Sequence, residues 1–77
     1  PKYKVLSAGK VMRKECSDES KKLFSDKTKC IDENAKIETL IDQICEDDTA
    51  YPIINAQSGE LVGEIDRTIV MKSMKSK

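Results

Sequence analysis

The sequence predicts a small α+β domain, and three patterns in its second half support this class. Apolar residues recur at helical spacing between residues 37 and 45. Two short apolar runs, 50–54 and 60–66, flank a polar turn that contains glycine, which is typical of a β-hairpin. A second helical pattern begins at Arg67. The predicted order is β-α-β-β-α after a leading segment, with a three-stranded sheet that carries helices on one face.

Length and charge narrow the classes of protein that the chain can represent. It has 77 residues, enough for one domain, and it begins with Pro1, which leads us to expect a piece of a larger protein. Its 14 basic and 14 acidic side chains balance, so no basic excess indicates a nucleic-acid partner. No apolar run approaches the roughly 20 residues that span a bilayer. We expect contact with a membrane only indirectly, through a larger complex.

The cysteines indicate a reducing compartment. Cys16, Cys30 and Cys45 form no C-x-x-C pair, and the chain has no histidine. Zinc sites that use histidine and Cys–His nucleophile pairs are therefore excluded, and the simplest interpretation is free thiols in the cytoplasm. We predict no metal site and no enzymatic activity, although a thiol-based redox protein remains an alternative.

The first 27 residues predict a leading segment that precedes the main motif. Residues 5–13 have the pattern of a short strand that runs into one or two helical turns. Residues 14–27 are polar and lack sustained periodicity, which predicts a connection without regular structure. Leu23 and Phe24 are the large apolar residues of this connection and are expected to anchor it to the core.

Residues 28–77 carry the main motif, which starts with a strand and an amphipathic helix. The β-branched run 28–31 predicts the strand, and Asp32 or Asn34 is placed to cap the helix that follows. The helix spans about residues 35 to 46. Its apolar stripe is expected to be buried and consists of Ile37, Leu40, Ile41 and Ile44.

The hairpin and the last helix complete the motif. The hairpin turn is expected near Ser58 and Gly59, where glycine is free to adopt positive φ. Pro52 lacks an N–H group, which predicts an edge position or irregular pairing in its strand. Asp66 or Thr68 can cap the last helix.

Three stretches of the chain together resemble the cystathionine-β-synthase (CBS) motif. They are KCIDENAKIETLIDQICEDD (29–48), AYPIINAQSGELVGEI (50–65) and TIVMKSM (68–74), and the hairpin is the most specific of them. The resemblance implies a regulatory module that does not catalyse a reaction. It also implies that the sheet packs against the sheet of a second motif, which leads us to expect a homodimer because the chain carries one motif.

The leading stretch VLSAGKVMR, residues 5–13, suggests a parent protein. With the residues before it, this stretch looks like the region after the ATPase domain in the ATP-binding subunits of glycine betaine/L-proline ABC transporters. The resemblance implies that the module modulates such a transporter in contact with the rest of the parent chain. Ion transporters, nucleotide-biosynthesis enzymes and kinase regulators that carry CBS motifs remain open as parents.

The chain departs from the family at the nucleotide motif, which begins at Gly63. Asp66 stands where the family has a hydroxyl that contacts phosphate, and Ile69 stands where it has the aspartate that binds ribose. An adenine nucleotide is therefore disfavoured, and we predict no cofactor. If a cleft ligand exists, the candidate residues are Cys30, Tyr51, Pro52 and Asp66.

The sequence leaves one further alternative open, a dimerisation domain without a ligand. The apolar residues of strands 50–54 and 60–66 would face water on one side of the sheet, which favours association with a partner. That pattern is the same for a sensor and for a purely structural dimer.

Overall fold

A computed structural model of the chain describes residues 6–75, so the start of the predicted leading strand at residue 5 lies outside the described residues. Within this range the chain forms four helices and three strands. The helices are α1 (Ala8–Val11), α2 (Asp18–Ser25), α3 (Ile37–Glu46) and α4 (Arg67–Lys75). The strands are β1 (Ile31–Asp32), β2 (Tyr51–Ile54) and β3 (Leu61–Ile65).

The three strands form one mixed sheet in the order β1-β2-β3. Strand β1 pairs in parallel with β2, with Ile31 opposite Ile53, and α3 makes the crossover between them. Strand β2 pairs antiparallel with β3, with Tyr51 opposite Ile65. The α+β class, the three-stranded sheet and the β-α-β-β-α order predicted for the second half are confirmed.

The predicted hairpin is present, and its turn is set by one asparagine and one glycine. The side-chain Oδ1 of Asn55 accepts hydrogen bonds from the backbone N–H groups of Gln57 and Ser58, both at 2.8 Å. Gly59 adopts φ 75°, which a residue with a Cβ reaches only at a cost. The turn therefore lies where the sequence predicts it.

The core lies between α3, α4 and α1 and one face of the sheet. Ile37, Leu40 and Ile44 of α3 are buried as predicted, whereas Ile41 is half-buried because it lies at the rim of the stripe. The remaining buried apolar members of this core are Ala8, Ile31, Tyr51, Ile53, Ile65 and Val70.

The prediction of an irregular polar connection over residues 14–27 is wrong, because most of it forms α2. The Oγ of Ser17 caps this helix by accepting a hydrogen bond from the N–H of Ser20 at 3.4 Å. Ser20 is buried, and Leu23 and Phe24, three and four positions later on the same helix face, are half-buried. The inward stripe starts with a serine, which hides the helical period from a search for apolar residues.

Helix α2 lies on the face of the sheet opposite to α3 and α4, so the prediction of helices on one face is also wrong. Successive side chains of a strand point to opposite faces. Ile65 of β3 points into the core, whereas Glu64 points to the other side and accepts hydrogen bonds from Ser17 and Ser20. Helix α2 packs there against β2 and β3. The sheet face that was expected to be free for a partner is therefore covered.

The start of the main motif differs from the prediction in two details. The strand predicted at 28–31 begins later, at Ile31, because Lys29 adopts φ 59° and cannot continue an extended strand. Neither predicted residue caps α3, whose N-cap is Lys36 without a side-chain hydrogen bond. Instead, Oδ1 of Asp32 accepts from the N–H of Asn34 at 2.7 Å and forms a local turn.

Candidate functional site at the junction of β3 and α4

A buried carboxylate in the middle of β3 organises the polar interior of the fold. Glu64 is 1% exposed. Its Oε1 accepts hydrogen bonds from the N–H of Ser17 at 2.7 Å, from the Oγ of Ser17 at 2.9 Å and from the Oγ of Ser20 at 2.7 Å. A buried charge is costly unless it is paired and hydrogen-bonded. These donors provide that pairing and attach the start of α2 to the sheet.

The other oxygen of Glu64 is occupied by Arg13. One Nη of Arg13 donates to Oε2 of Glu64, and the other donates to Oδ2 of Asp66 at 3.3 Å. The backbones also pair, with the N–H of Arg13 on the carbonyl of Glu64 at 2.8 Å and the N–H of Glu64 on the carbonyl of Arg13 at 2.9 Å. Arg13 therefore occupies the edge of β3 through both its backbone and its side chain.

The ionisation of this cluster follows from its hydrogen bonds. Burial on its own favours the neutral acid, but the donors from Ser17, Ser20 and Arg13 outweigh burial and hold the pKa of Glu64 below its usual value. The hydrogen bond to Glu64 and the charge of Asp66 raise the pKa of Arg13. Both groups are therefore charged at neutral pH.

An open groove lies beside this cluster, between the leading segment and α4. It has a volume of about 560 Å³. Its lining combines apolar side chains, two cationic side chains and a hydroxyl, from Leu6, Val11, Arg13, Ile69, Lys72 and Ser73. Such a lining is suited to a small ligand that has an anionic group and an apolar part.

Asp66 has a structural role at one end of this groove. Its Oδ1 accepts a hydrogen bond from the N–H of Ile69 at 3.0 Å, which caps α4 as the sequence predicts. Its Oδ2 faces Arg13. Both carboxylate oxygens of Asp66 are thus engaged within the chain, and the side chain of Ile69 lines the groove without a hydrogen-bonding group.

The four residues predicted to line a ligand cleft lie near the same end of the sheet, but their side chains do not line one groove together. Tyr51 is buried in the core, and its hydroxyl donates to Oδ1 of Asp47 at 3.0 Å. Pro52 is buried on the α2 side, opposite Glu64 in the ladder. Cys30 is half-buried beside a separate depression of about 530 Å³ under the end of α2. Of the four, Asp66 alone lies next to the groove.

The environment of Tyr51 is that of a core residue with a satisfied hydroxyl. Burial, together with the hydrogen bond to Asp47, raises the pKa of Tyr51 to about 12. Lys29 lies over the ring, with its Nζ 5.6 Å from the ring centroid, and pairs with Asp47 at 3.3 Å. The ring is therefore already covered within the chain.

The sequence reasoning missed the residues that build the polar cluster, namely Arg13, Ser17, Ser20 and Glu64. One signal was available: Glu64 is an acidic residue flanked by Gly63 and Ile65 in a strand that is otherwise apolar. An acid in such a strand predicts a partner of opposite charge or several donors. The partner itself could not be found by spacing, because Arg13 lies 51 residues away in the sequence.

Comparison of the chain with protein-family models, with curated proteins and with solved structures found no match. Among residues 6–75, no helix is long and apolar enough to cross a membrane. Over the same residues, no group of three or more side chains is arranged to hold a metal ion.

Proposed function

We propose that the chain is a regulatory module of a larger cytoplasmic protein and does not itself catalyse a reaction. It pairs with a second copy, responds to a ligand in the groove or to ionic conditions, and alters the activity of the attached protein. The attached protein is proposed to be the ATP-binding subunit of an osmoprotectant ABC transporter. That parentage rests on the resemblance of residues 5–13 alone.

The observation that carries the regulatory proposal is the arrangement of the second half of the chain. A strand, a crossover helix, a hairpin and a final helix follow in the order that the CBS resemblance implies. The groove lies at the start of the final helix, where the leading segment packs against it. An arrangement that joins a leading segment, a sheet and a helix around one groove can transmit ligand binding to the attached protein.

The composition of the groove supports ligand sensing over simple dimerisation. Arg13 and Lys72 supply positive charge at its wall, and Leu6, Val11 and Ile69 supply apolar surface. A surface that serves only to associate has no need of a concave site with this mixture. A dimerisation domain without a ligand is nevertheless the second candidate, because the apolar side chains of Met71 and Met74 are exposed on α4.

Thermal unfolding in the presence of candidate ligands separates the two functions. The melting temperature is measured with AMP, ATP and cyclic dinucleotides, and with chloride, sulfate and phosphate salts at equal ionic strength. A ligand that binds the folded chain and not the unfolded chain raises the melting temperature, and the rise grows with the logarithm of the ligand concentration above the dissociation constant. If no ligand or ion changes the melting temperature or the dimer dissociation constant, the module has the structural role instead.

Two matched variants test whether a ligand-dependent shift in melting temperature arises from binding in the groove. Lys72→Gln removes one charge from the groove wall, whereas Lys21→Gln removes one charge from an exposed position on α2. We expect the first variant to reduce the ligand-dependent shift and the second to leave it unchanged. Equal effects of the two variants would indicate a non-specific charge effect.

A further inference from the structure

The first part of the described chain lies on both faces of the sheet. It has no hydrophobic core of its own and packs against the rest of the fold. We call residues 6–25 the clip, residues 26–30 the hinge and residues 31–75 the body. Helix α1 of the clip packs in the core on one face of the sheet, and α2 packs on the opposite face. Between the two helices, Arg13 passes the edge of β3.

The clip is held by contacts with the body, apart from the backbone hydrogen bonds that join the end of α2 to the hinge. The N–H of Ala8 donates to the carbonyl of Ala35, and the N–H of Gly9 donates to the carbonyl of Glu33, both at 2.8 Å. Arg13 pairs with Glu64, and the buried residue of α2 is Ser20, which also binds Glu64. If the clip leaves the body of its own chain, the clip of a second copy can make the same contacts with the exposed surface.

The hinge is the covalent link between the clip and the body, and its closed conformation is strained. Lys27 and Lys29 adopt φ 56° and φ 59°, in the left-handed region that non-glycine residues occupy at a cost. Residues 26–29 are exposed, so an extended hinge loses little packing, although it gives up the backbone hydrogen bonds from Lys27 and Thr28 to the end of α2. The ion pair between Lys29 and Asp47 opposes opening, but both partners are exposed and such pairs contribute little. In an extended conformation, the five residues of the hinge span about 17 Å.

We propose that two copies pair by exchanging their clips, an inference that rests on the pairing proposed above. The exchanged dimer keeps every contact between clip and body while it releases the strain at the hinge. Closure within one chain is favoured by the high effective concentration of its own clip, so exchange increases with protein concentration.

Clip exchange makes the groove a shared site. Leu6, Val11 and Arg13 belong to the clip, whereas Ile69, Lys72 and Ser73 belong to the body. In the exchanged dimer each groove is built from two copies. A ligand that bridges Arg13 and Lys72 then stabilises the pairing, which connects ligand binding to assembly.

Charge reversal at the clip–body contact tests the exchange. Arg13→Glu and Glu64→Arg each place like charges together in the closed chain, and both variants are expected to melt below the natural chain. Mixed, unfolded together and refolded, the two variants restore opposite charges in both halves of an exchanged heterodimer, and in no other arrangement. We expect the mixture to melt at least about 5 °C above either variant alone, with a heterodimer in sedimentation.

A matched control removes the effect of overall charge. Glu60→Arg changes the net charge by the same amount as Glu64→Arg, but Glu60 is exposed and its backbone hydrogen bonds are to Asn55 and Ser58 within the hairpin. In a mixture of this chain with Arg13→Glu, the Arg13→Glu chain should still melt at its own lower temperature, because an exchanged heterodimer of this pair always keeps two glutamates together at one of its two clip–body contacts. Equal recovery in the control mixture would overturn the proposal.

Sedimentation of the natural chain separates the two proposals. A natural dimer combined with no recovery in the charge-reversal mixture overturns clip exchange and leaves the proposed pairing intact. A natural chain that stays monomeric, again without recovery, overturns both. Recovery in the mixture with a natural dimer supports both.

The hinge gives a second test that leaves the charged cluster unchanged. Lys27→Pro fixes φ near −65°, which the closed turn cannot accept, and we expect it to lower the dimer dissociation constant by about tenfold or more. Lys27→Gly relieves the strain of the closed turn and is expected to raise the same constant. Changes in the opposite order, or no change in either variant, would contradict clip exchange.

Discussion

Gly63 provides the space through which the leading segment reaches the edge of β3. A Cβ at this position would lie 2.5 Å from Sδ of Met12 and 2.8 Å from the carbonyl oxygen of Arg13. The methionine side chain can move, but the carbonyl is held by the N–H of Glu64 at 2.9 Å. The absence of a side chain at residue 63 is therefore a condition for the Arg13–Glu64 cluster to form.

Gly63→Ala is accordingly expected to destabilise the chain by about 1–3 kcal/mol through overpacking. Urea denaturation measures the loss, and hydrogen exchange should show faster exchange at the amide of Arg13. Gly59→Ala is the control, because a Cβ there meets nothing within 4 Å and the cost comes from its φ of 75°. That variant should leave exchange at Arg13 unchanged, and a stable Gly63→Ala chain would contradict the prediction.

Glu64 makes the stability of the chain depend on pH. Its pKa is lower in the folded chain than the value of about 4.3 expected in the unfolded chain. A lowered folded pKa means that the stabilisation is complete above the unfolded value and is lost as the pH falls through the folded value. We therefore expect stability to decrease as the pH falls below about 4.3, where the unfolded chain takes up its proton first.

Glu64→Gln isolates that contribution. At neutral pH the variant should lose about 2–3 kcal/mol, because hydrogen bonds to a charged acceptor are replaced by weaker ones. Its stability should then depend less on pH than that of the natural chain between about pH 5 and about pH 3, measured by urea denaturation. Parallel pH profiles of the two chains would show that folding does not lower the pKa of Glu64.

At the scale of elements, the C-terminus of α2 carries an avoidable strain. Lys27 follows the helix with φ 56°, and its N–H donates to the carbonyl of Phe24 at 3.0 Å, while the N–H of Thr28 donates to the carbonyl of Leu23 at 2.9 Å. These two bonds are the pattern of a helix that ends in a left-handed residue, a position that usually holds glycine. Both hydrogen bonds use backbone groups, so a glycine at residue 27 would keep them without the strain.

Lys27→Gly should therefore stabilise the folded chain by about 0.5–1 kcal/mol, the relief of left-handed strain less the greater flexibility of glycine in the unfolded state. Chemical denaturation gives the change in the free energy of unfolding. Lys21→Gly makes the same substitution inside α2, where it should cost about 1 kcal/mol. Effects of the same sign in the two variants would contradict the assignment of this turn.

The elements that were predicted from the sequence are stabilised by local interactions, whereas those that were missed depend on contacts between residues far apart in the chain. Helix α3 and the hairpin are held by apolar periodicity and by turn residues such as Gly59, and both signals are local. Helix α2 has a local start signal in Ser17 followed by Asp18 and Glu19. Its attachment to the sheet through Ser17 and Ser20 depends on a glutamate more than 40 residues away, which no local pattern encodes. The start of β1 was misplaced for a related reason, because the left-handed Lys29 has no sequence signature.

At the scale of the whole molecule, the position of α2 changes how pairing can occur. Ile53 and Val70 are both fully buried in the core, so charged substitutions at either residue would unfold the chain without reporting on an interface. The sheet face opposite that core is covered by α2. A partner that binds this face of the sheet must therefore bind around α2, displace it or supply its own, and clip exchange is the third of these routes.

The whole-molecule arrangement also bears on nucleotide binding. The groove offers charge from Arg13 and Lys72, but Arg13 is already shared between Glu64 and Asp66. Ile69 presents no acceptor to a ribose. Each ribose hydroxyl left unpaired costs about 1–3 kcal/mol, and a phosphate near Asp66 adds repulsion between like charges. Together these effects correspond to binding weaker by about a hundredfold or more.

We therefore expect AMP and ATP to bind the natural chain no more tightly than the millimolar range. The double variant Asp66→Thr with Ile69→Asp supplies a ribose acceptor, keeps a residue able to cap α4 and frees one Nη group of Arg13, so it should bind AMP at least about tenfold more tightly. Titration calorimetry on the natural chain, both single variants and the double variant measures the gain. The single variants should each recover less than the double variant, since each corrects one of the two defects. Micromolar binding of ATP by the natural chain would show that the nucleotide is recognised through other groups, such as backbone atoms.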